Sequence, residues 1–382
     1  MRDKGLLLII TIVALVFNGP IPCQATEIDW SGSIFIEEAF QDSDRSHMNI
    51  INLKMGIFAG EKENGVVLLQ LQAPGRDPKT LEEVGYILDV YQAYIDLLIN
   101  SSTMIRAGRQ KISWGTGFNW NPTNYLGADQ NRADFMVDRP GVDALDLEFN
   151  WNNALIVLVL KTQDSWYETG KALKVNWWLS GADFSLSCYQ KGDGRGLGAE
   201  FGMTVGDCVT YGEVAAKVGS RRFYIHENSE MERASDRLYL HALVGANQVL
   251  NDNLTLIVEY YYNQEGWNHR EAEAFFDYLD TLTASERITA LGKKGALLAE
   301  LRQNYLSFTI SKTDLIEDLT LSGNILWNVD DHSYQIRPAL QYDLTQNTFF
   351  AVNANLNYGK SRTEFGALPY NSYINARLAF HF

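Results

Sequence analysis

The chain ends Y373INARLAFHF382, a stretch in which two sets of residues alternate. One set is entirely apolar and comprises Ile374, Ala376, Leu378, Phe380 and Phe382. The other set is mostly polar and includes Asn375, Arg377 and His381. Successive side chains of a β-strand point to opposite faces, so this pattern predicts a strand with one apolar face. Soluble domains usually end in polar, poorly ordered residues, so an apolar strand that reaches the last residue favours a terminus held against lipid.

The same alternation recurs along the chain in segments of about ten residues separated by turn residues. The clearest examples are N253LTLIVEYYYN263, Y334QIRPALQYD343 and F350AVNANLNY358. Short turn-rich connections alternate with longer links, such as 74–85, 112–142 and 264–302. A soluble sandwich or propeller also alternates, but it has no such rhythm of short and long connections. The pattern therefore predicts an all-β fold, a transmembrane antiparallel up-and-down β-barrel of about eighteen strands, with sixteen as the alternative because 65–73 and 154–162 alternate weakly.

The N-terminus reads as a secretory signal peptide. Arg2 and Lys4 precede the apolar run L6LLIITIVALVF17, and C23QA25 supplies small residues for cleavage. The prediction is a signal peptide at 1–25 and a single barrel domain at 26–382, exported to the outer membrane of a Gram-negative bacterium. The formal net charge of −15 disfavours nucleic acid as a partner, because phosphates would be repelled. Cys188 and Cys208 fall on non-adjacent predicted strands, so no disulfide is expected.

Two stretches resemble known proteins. The ending with Phe380 and Phe382 resembles the C-terminal strand of Gram-negative outer-membrane proteins, in which a terminal aromatic residue is read by the barrel-assembly machinery. The segment R109QKISWGTGFNWNP122 resembles a stretch in porin-like barrels, including alginate-export-like ones, where a strand end leads into a long loop. The resemblance implies outer-membrane lipid and the assembly machinery as partners. It leaves a homotrimer open.

The polar faces of the predicted strands supply pore-lining candidates. These are Arg106, Asp146, Glu148, Lys174, Glu213, Lys217, Glu259, Arg337 and Arg377. Opposed acidic and basic walls would orient polar solutes. The alternative is that these charges pair with one another across strands, which also stabilises a wet interior.

The link 112–142 is too long for a plain hairpin loop, and long links usually have a task. We expect it to fold inward and narrow the pore, with two indoles offering stacking surfaces to sugar-like solutes; the alternative is an outward cap on the rim. Its constriction candidates are Trp114, Trp120, Asp129, Arg132, Asp134, Asp138 and Arg139.

The link 264–302 carries apolar residues at helical spacing in E271AEAFFDYLDTL282 and S285ERITALGKKGALLAELRQ303. Two helical pieces that partly cover the mouth are predicted. They would act as a gate or receptor surface, or would simply pack on the rim.

Enzyme signatures are absent from the sequence: there is no G-x-S-x-G and no H-E-x-x-H. The glycines of G192DGRGLG198 lack the Lys-Ser/Thr of a phosphate loop and instead predict a tight hairpin. No catalytic residue, cofactor or metal ligand is therefore predicted. His241 could imitate a lipid-hydrolase histidine, but it falls on the predicted inner face.

The leading functional prediction is a channel for passive diffusion of small polar solutes. The alternative is a closed barrel that serves as an export conduit, for example for polysaccharide, as a surface receptor or as an outer-membrane lipid hydrolase.

Overall fold

Eighteen strands form one continuous sheet in which each strand is antiparallel to its neighbour in the chain. The structure is a computed structural model, and it describes residues 27–41, 44–59, 62–74, 87–127, 140–219, 223–225, 231–233, 236–250, 253–283, 300–368 and 371–382. The predicted signal peptide lies outside the described residues.

The first half of the barrel is built from strands β1 (Glu27–Gln41), β2 (Asp44–Ala59), β3 (Lys62–Pro74), β4 (Ile87–Asn100), β5 (Thr103–Gln110), β6 (Val142–Trp151), β7 (Ala154–Lys161), β8 (Gly170–Leu179) and β9 (Ala182–Lys191). The second half comprises β10 (Gly194–Val205), β11 (Cys208–Val218), β14 (Leu238–Leu250), β15 (Leu254–Asn263), β16 (Asn304–Ile316), β17 (Leu319–Asn328), β18 (Tyr334–Thr345), β19 (Thr348–Tyr358) and β20 (Ser372–His381). A separate hairpin, β12 (Phe223–Ile225) and β13 (Met231–Arg233), lies in the long link after β11.

The sheet closes because β1 pairs with β2 on one edge and with β20 on the other. The seam runs from Ser33 opposite His381 to Gln41 opposite Tyr373. Closure removes both sheet edges, whose unpaired backbone groups would otherwise face lipid. The prediction of an eighteen-stranded antiparallel up-and-down barrel is confirmed, and sixteen strands is excluded.

The two faces of the sheet differ as the alternation requires. On β14, Leu238, Leu240 and Val244 are exposed, whereas Tyr239 and His241 between them are buried. The same holds on β20, where Ile374, Leu378 and Phe380 are exposed and Asn375 and Arg377 are buried. The exposed apolar face points outward, and the polar face lines the interior of the ring.

The link after β15 contains helix α1 (His269–Thr281), which confirms the first predicted helical piece. Asn268 and Glu271 form a capping box that satisfies two backbone N–H groups at its start. The second predicted piece lies mostly outside the described residues. Within the part of the chain that is described, no helix has the length and hydropathy to cross a membrane. Cys188 on β9 and Cys208 at the start of β11 are free thiols.

Candidate functional site

The strand register places the predicted charged residues on one face, the inner one. Inner-face residues pair with each other from strand to strand, as Asp96, Arg106 and Asp146 do across β4, β5 and β6. The inner-face set consists of Glu37, Lys54, Asp96, Arg106, Asp146, Glu148, Lys174, Glu200, Glu213, Lys217, Glu259, Arg337 and Arg377. Asp129, Arg132, Asp134, Asp138 and Arg139 lie outside the described residues.

Several inner-face charges form ion pairs across neighbouring or nearby strands. The pairs are Arg106 with Asp96, Lys174 with Glu200, and Arg377 with Glu37. Lys174 Nζ lies 2.7 Å from Glu200 Oε2, with the two side chains only 10% and 3% exposed. Arg377 Nη2 donates to Glu37 Oε2 at 2.5 Å across the seam. These contacts are the cross-strand pairing that the sequence left as an alternative, and they reduce the net charge that the inner wall presents.

Replacing Lys174 with methionine is expected to lower the free energy of unfolding by about 3–5 kcal/mol, because Glu200 would become a buried carboxylate without its cation. Urea unfolding of the folded barrel in lipid vesicles measures this change. The double variant Lys174→Met, Glu200→Gln removes the stranded charge and should recover much of the loss. Equal stability of the single variant and the native protein would contradict the pairing.

Residues 112–127, which we call the inner segment, run along the inside of the barrel after β5. The carboxylate of Glu213 on β11 holds its first turn. Glu213 Oε1 accepts hydrogen bonds from Thr116 N at 2.5 Å and Gly117 N at 2.8 Å. Glu213 Oε2 accepts from Thr123 N at 3.2 Å and from Thr123 Oγ1 at 3.0 Å. Irregular backbone inside a barrel lacks ladder partners for its N–H groups, and this carboxylate supplies them.

Glu259 on β15 holds the next part of the inner segment in the same way. Its two oxygens accept from Phe118 N at 2.6 Å and Asn119 N at 2.8 Å. Asn119 Nδ2 also donates to Glu259 Oε2 at 2.9 Å and to Ser307 Oγ on β16 at 2.7 Å. Tyr211 on β11 donates its hydroxyl to Glu259 Oε1 at 3.0 Å. Glu213 and Glu259 are 1% and 0% exposed, so both carboxylates anchor the inner segment and neither is accessible to a solute in the interior.

The turn that reaches Glu213 requires glycine. Gly115 has φ of +100°, which residues with a side chain rarely adopt. A Cβ atom there would also lie 2.4 Å from Asn121 Oδ1 and 2.8 Å from Glu213 Oε1. The Trp114-Gly115 pair therefore places the backbone against the carboxylate.

Aromatic packing holds the inner segment at its middle and near its C-terminal end. Trp120 stacks on Tyr261 with ring centroids 5.2 Å apart, and Tyr125 stacks on Tyr189 at 4.2 Å. Trp114 makes an edge contact with Tyr125. Burial raises the pKa of Tyr125 above its ordinary value, so its hydroxyl stays protonated.

The expectation that Trp114 and Trp120 present stacking surfaces to solutes is wrong. The two indoles are only 8% and 3% exposed, because each packs against the barrel wall. Apolar contact with neighbouring rings outweighs exposure to the aqueous interior, so these side chains anchor the inner segment.

Sequence reasoning missed the residue that makes room for Tyr125. Gly198 on β10 faces inward, and a Cβ atom there would lie 2.3 Å from Tyr125 Oη and 2.8 Å from Thr123 Cγ2. The glycines of G192DGRGLG198 predict a tight hairpin, and Gly192, with φ of +55°, fits that prediction. Gly198 instead serves the inner segment. An inward glycine in the middle of a strand was the available signal.

The wall opposite the inner segment carries amide side chains. We call the inner face of β18–β20 and β1–β3 the amide wall. Gln335 Nε2 donates to Asn357 Oδ1 at 2.6 Å, and Gln70 Nε2 donates to Asn52 Oδ1 at 2.9 Å. A cavity of about 370 Å³ lies against this wall. Its lining includes Ser33, Phe35, Asn52, Lys54, Gln70, Arg377 and His381.

At the long-loop end of the barrel, α1 packs against residues 359–368. Trp267 and Phe275 pack at 4.4 Å between ring centroids, and Arg362 forms ion pairs with Asp277 and Asp280. The hydrogen bond from Arg362 to Asp277 raises the pKa of the guanidinium, which stays charged.

Residues 359–368 also reach the side-chain cluster that holds the inner segment. Glu364 is 2% exposed and accepts from Tyr305 Oη and from Asn328 Nδ2, both at 2.6 Å. The next residue, Phe365, packs in the same cluster as Trp120. Residues 359–368 are thus joined to the inner segment through this cluster, since Tyr305 contacts both Glu364 and Trp120.

His241 lies on the inner face, 3% exposed, with Nδ1 3.0 Å from Tyr261 Oη. A lipid hydrolase would need its histidine on the outer face, so this position does not favour that alternative. Among the described residues, no group of three or more His, Cys, Asp or Glu side chains is arranged to hold a metal ion.

The sequence matches no protein-family model. It matches no curated protein either. Its fold, however, matches solved barrels of Pseudomonas aeruginosa. OprD aligns with a TM-score of 0.58 at 7% identity over 93% of this chain and 95% of that chain. OccD3 (OpdP) aligns at 0.58 and 9% identity over 94% and 92%, and OpdK, determined with vanillate, at 0.57 and 9% over 93% and 98%. The chain shares the closed barrel fold of these outer-membrane porins.

Proposed function

We propose that the protein is an outer-membrane channel through which small polar solutes diffuse passively. An eighteen-stranded barrel is wide enough for an aqueous interior, and its apolar outer face suits a lipid environment. With both termini at the short-turn end, the short turns face the periplasm and the long loops face outside. The fold neighbours support this proposal, since they are outer-membrane porins.

The observation that carries the proposal is the division of the interior into two unlike walls. The inner segment covers the wall from β6 to β17, and its N–H groups donate hydrogen bonds to the carboxylates of Glu213 and Glu259. The amide wall is lined by amides, by Lys54 and by the Arg377–Glu37 ion pair, with a cavity beside it. A solute passing between the walls would exchange hydration for hydrogen bonds with amide groups, which favours small polar molecules over large or apolar ones.

No chemical step is proposed. The predicted absence of catalytic, cofactor-binding and metal-binding residues is consistent with passive transport. Vanillate belongs to the OpdK structure, and the proposal for this chain extends only to small polar solutes as a class.

Single-channel recording in a planar bilayer tests the function. We expect the purified full-length protein to give ohmic conductance steps, and reversal potentials in KCl gradients to report the ion preference that the inner-wall charges set. If conductance is negligible until residues 264–302 are removed, the closed-barrel alternative replaces the channel.

A further inference from the structure

The outer face of the barrel carries a groove next to the long-loop end. Its volume is about 730 Å³, within the range of roughly 300–1,000 Å³ that small-molecule sites occupy. The groove crosses strands β7 to β14 and is lined by Leu158, Leu173, Cys188, Leu197, Ala216 and Leu238, among others.

The depth of the groove follows from side-chain size along one row of the sheet. Leu173 pairs with Cys188, Cys188 with Leu197, and Leu197 with Ala216. These positions face outward, because they alternate with the inner-face residues of the same strands. Cys188 thus forms a low point between Leu173 and Leu197, and Ala216 forms a second one between Leu197 and Leu240. Each low point is a cleft between larger side chains that fits an extended hydrocarbon chain.

Two cations lie in the row nearer the long-loop end. Lys171 pairs with Gln190, and Gln190 pairs with Arg195, so the three side chains stand in line on the outer face. Lys171 and Arg195 are two strand spacings apart, about 10 Å, so their long side chains can converge on one anion. Both belong to the lining of the groove.

Exposed aromatic residues beside this row indicate its position relative to the lipid–water interface. Trp166 and Tyr167, in the loop before β8, are 69% and 53% exposed. Aromatic side chains at strand ends sit at the lipid–water interface, where lipid headgroups lie. Lys171 Nζ rests over the Trp166 ring at 4.4 Å and donates one hydrogen bond to the Trp166 carbonyl at 2.9 Å. An ammonium has three donors, so it retains capacity for an anion.

The acidic groups nearby do not cancel this charge within the row. Asp193, in the turn between β9 and β10, is bound by the Tyr167 hydroxyl. Glu168 lies near Gly192 in the loop layer, beyond the strand end.

We propose that this groove is a binding site for a phosphorylated, acylated glycolipid of the outer leaflet, of the lipid A class. One acyl chain lies over Cys188 and a second over Ala216, on the two sides of Leu197, and a phosphate accepts hydrogen bonds from Lys171 and Arg195. The inference rests on the proposed outer-membrane location but not on solute transport, since the groove faces away from the interior.

Native mass spectrometry of the full-length barrel in detergent, titrated with bis-phosphorylated lipid A, tests the proposal. We expect one lipid A retained by the native protein. The double variant Lys171→Gln, Arg195→Gln should weaken retention at least about ten-fold, as the loss of a charged hydrogen bond implies. Ala216→Phe, which fills the cleft between Leu197 and Leu240 without changing charge, should weaken retention as well.

Lys312→Gln is the matched control, because Lys312 pairs with Leu321 on the outer face towards the short-turn end of the barrel. It should retain lipid A like the native protein. Heat-modifiable migration in gels checks that each variant is folded.

Retention unchanged in the Lys171→Gln, Arg195→Gln variant overturns the site. Equal retention of phosphatidylglycerol and lipid A overturns it too, because any anionic lipid would then suffice. A barrel that conducts ions but does not retain lipid A refutes this inference alone, and the reverse result refutes only the channel.

Discussion

Replacing Glu213 and Glu259 together with glutamine is expected to raise the single-channel conductance by about two-fold or more, because the inner segment should leave the wall and widen the path. Each carboxylate accepts hydrogen bonds at both oxygens, from backbone N–H groups of residues 116–119 and 123. Glutamine keeps one acceptor and presents an NH₂ group to the other donors. Each charged hydrogen bond contributes roughly 1.5–3 kcal/mol, so the double variant loses most of the polar anchoring.

The control on the inner face is Asp146→Asn, Glu148→Gln. Both side chains lie on the inner face of β6, and neither makes a hydrogen bond to the described residues of the inner segment. Its reversal potential should shift while its conductance stays near the native value. Deleting residues 118–138 should reproduce the larger conductance without changing any strand. Unchanged conductance in both the deletion and the Glu213→Gln, Glu259→Gln variant would mean that the inner segment does not restrict flow.

The strand number and order could be predicted because each step from residues to strands is local. Alternation identifies a strand from its own residues, and a short turn requires the next strand to pair with it. The C-terminal strand must then pair with the first strand and close the barrel, since an open sheet edge cannot face lipid. Successive residues of a strand lie on opposite faces of the sheet, so the same pattern also tells which side chains face the interior. Arg106, Glu213 and Arg377 could therefore be placed inside the barrel from the sequence alone.

What the inner-face residues do could not be predicted in this way. Glu213 binds backbone groups 97 residues earlier in the chain, and Glu259 binds groups 141 residues earlier. No periodic pattern encodes such contacts, because they depend on where an irregular loop lies in three dimensions. Composition suggested a charged constriction and stacking indoles. Packing instead buries Trp120 against Tyr261 and uses the carboxylates as acceptors.

Two glycines do carry a local signal of this distant contact. Gly115 in the Trp-Gly pair and Gly198 in β10 are both visible in the sequence, and both are explained by the inner segment. A glycine in a strand interior lowers strand stability, so it marks a close approach by another part of the chain. Gly198 thus marks the wall that the inner segment covers, whereas the inward-facing Gly196 and Gly245 make room for Tyr189 and Tyr211 of neighbouring strands.

Deleting Phe382 is expected to reduce the amount of assembled barrel by about ten-fold while leaving the conductance of the surviving channels unchanged. Phe382 is the last link of the seam: Gly32 N donates to its carbonyl at 3.0 Å, and its own N–H donates to Gly32 O at 3.0 Å. Its ring lies over Gly32, where a Cβ atom would come within 2.5 Å of Cζ, and stacks with Phe380 at 6.3 Å. Two lost backbone bonds at a lipid-facing edge, about 1 kcal/mol each or more, weaken closure where it begins.

Two further variants separate the seam from an assembly label. Phe382→Ala keeps both backbone bonds and removes only the ring, so a label read by the assembly machinery predicts that it fails as badly as the deletion. The seam alone predicts an intermediate loss. Phe350→Ala, which removes an outer-face ring of 39% exposure on β19 away from the closing pair, should assemble normally. Outer-membrane fractions, scored by heat-modifiable migration, give the assembled amount. Normal insertion of the truncated chain would show that neither the seam contact nor the terminal aromatic is needed, because the remaining pairing of β20 with β1 would then suffice.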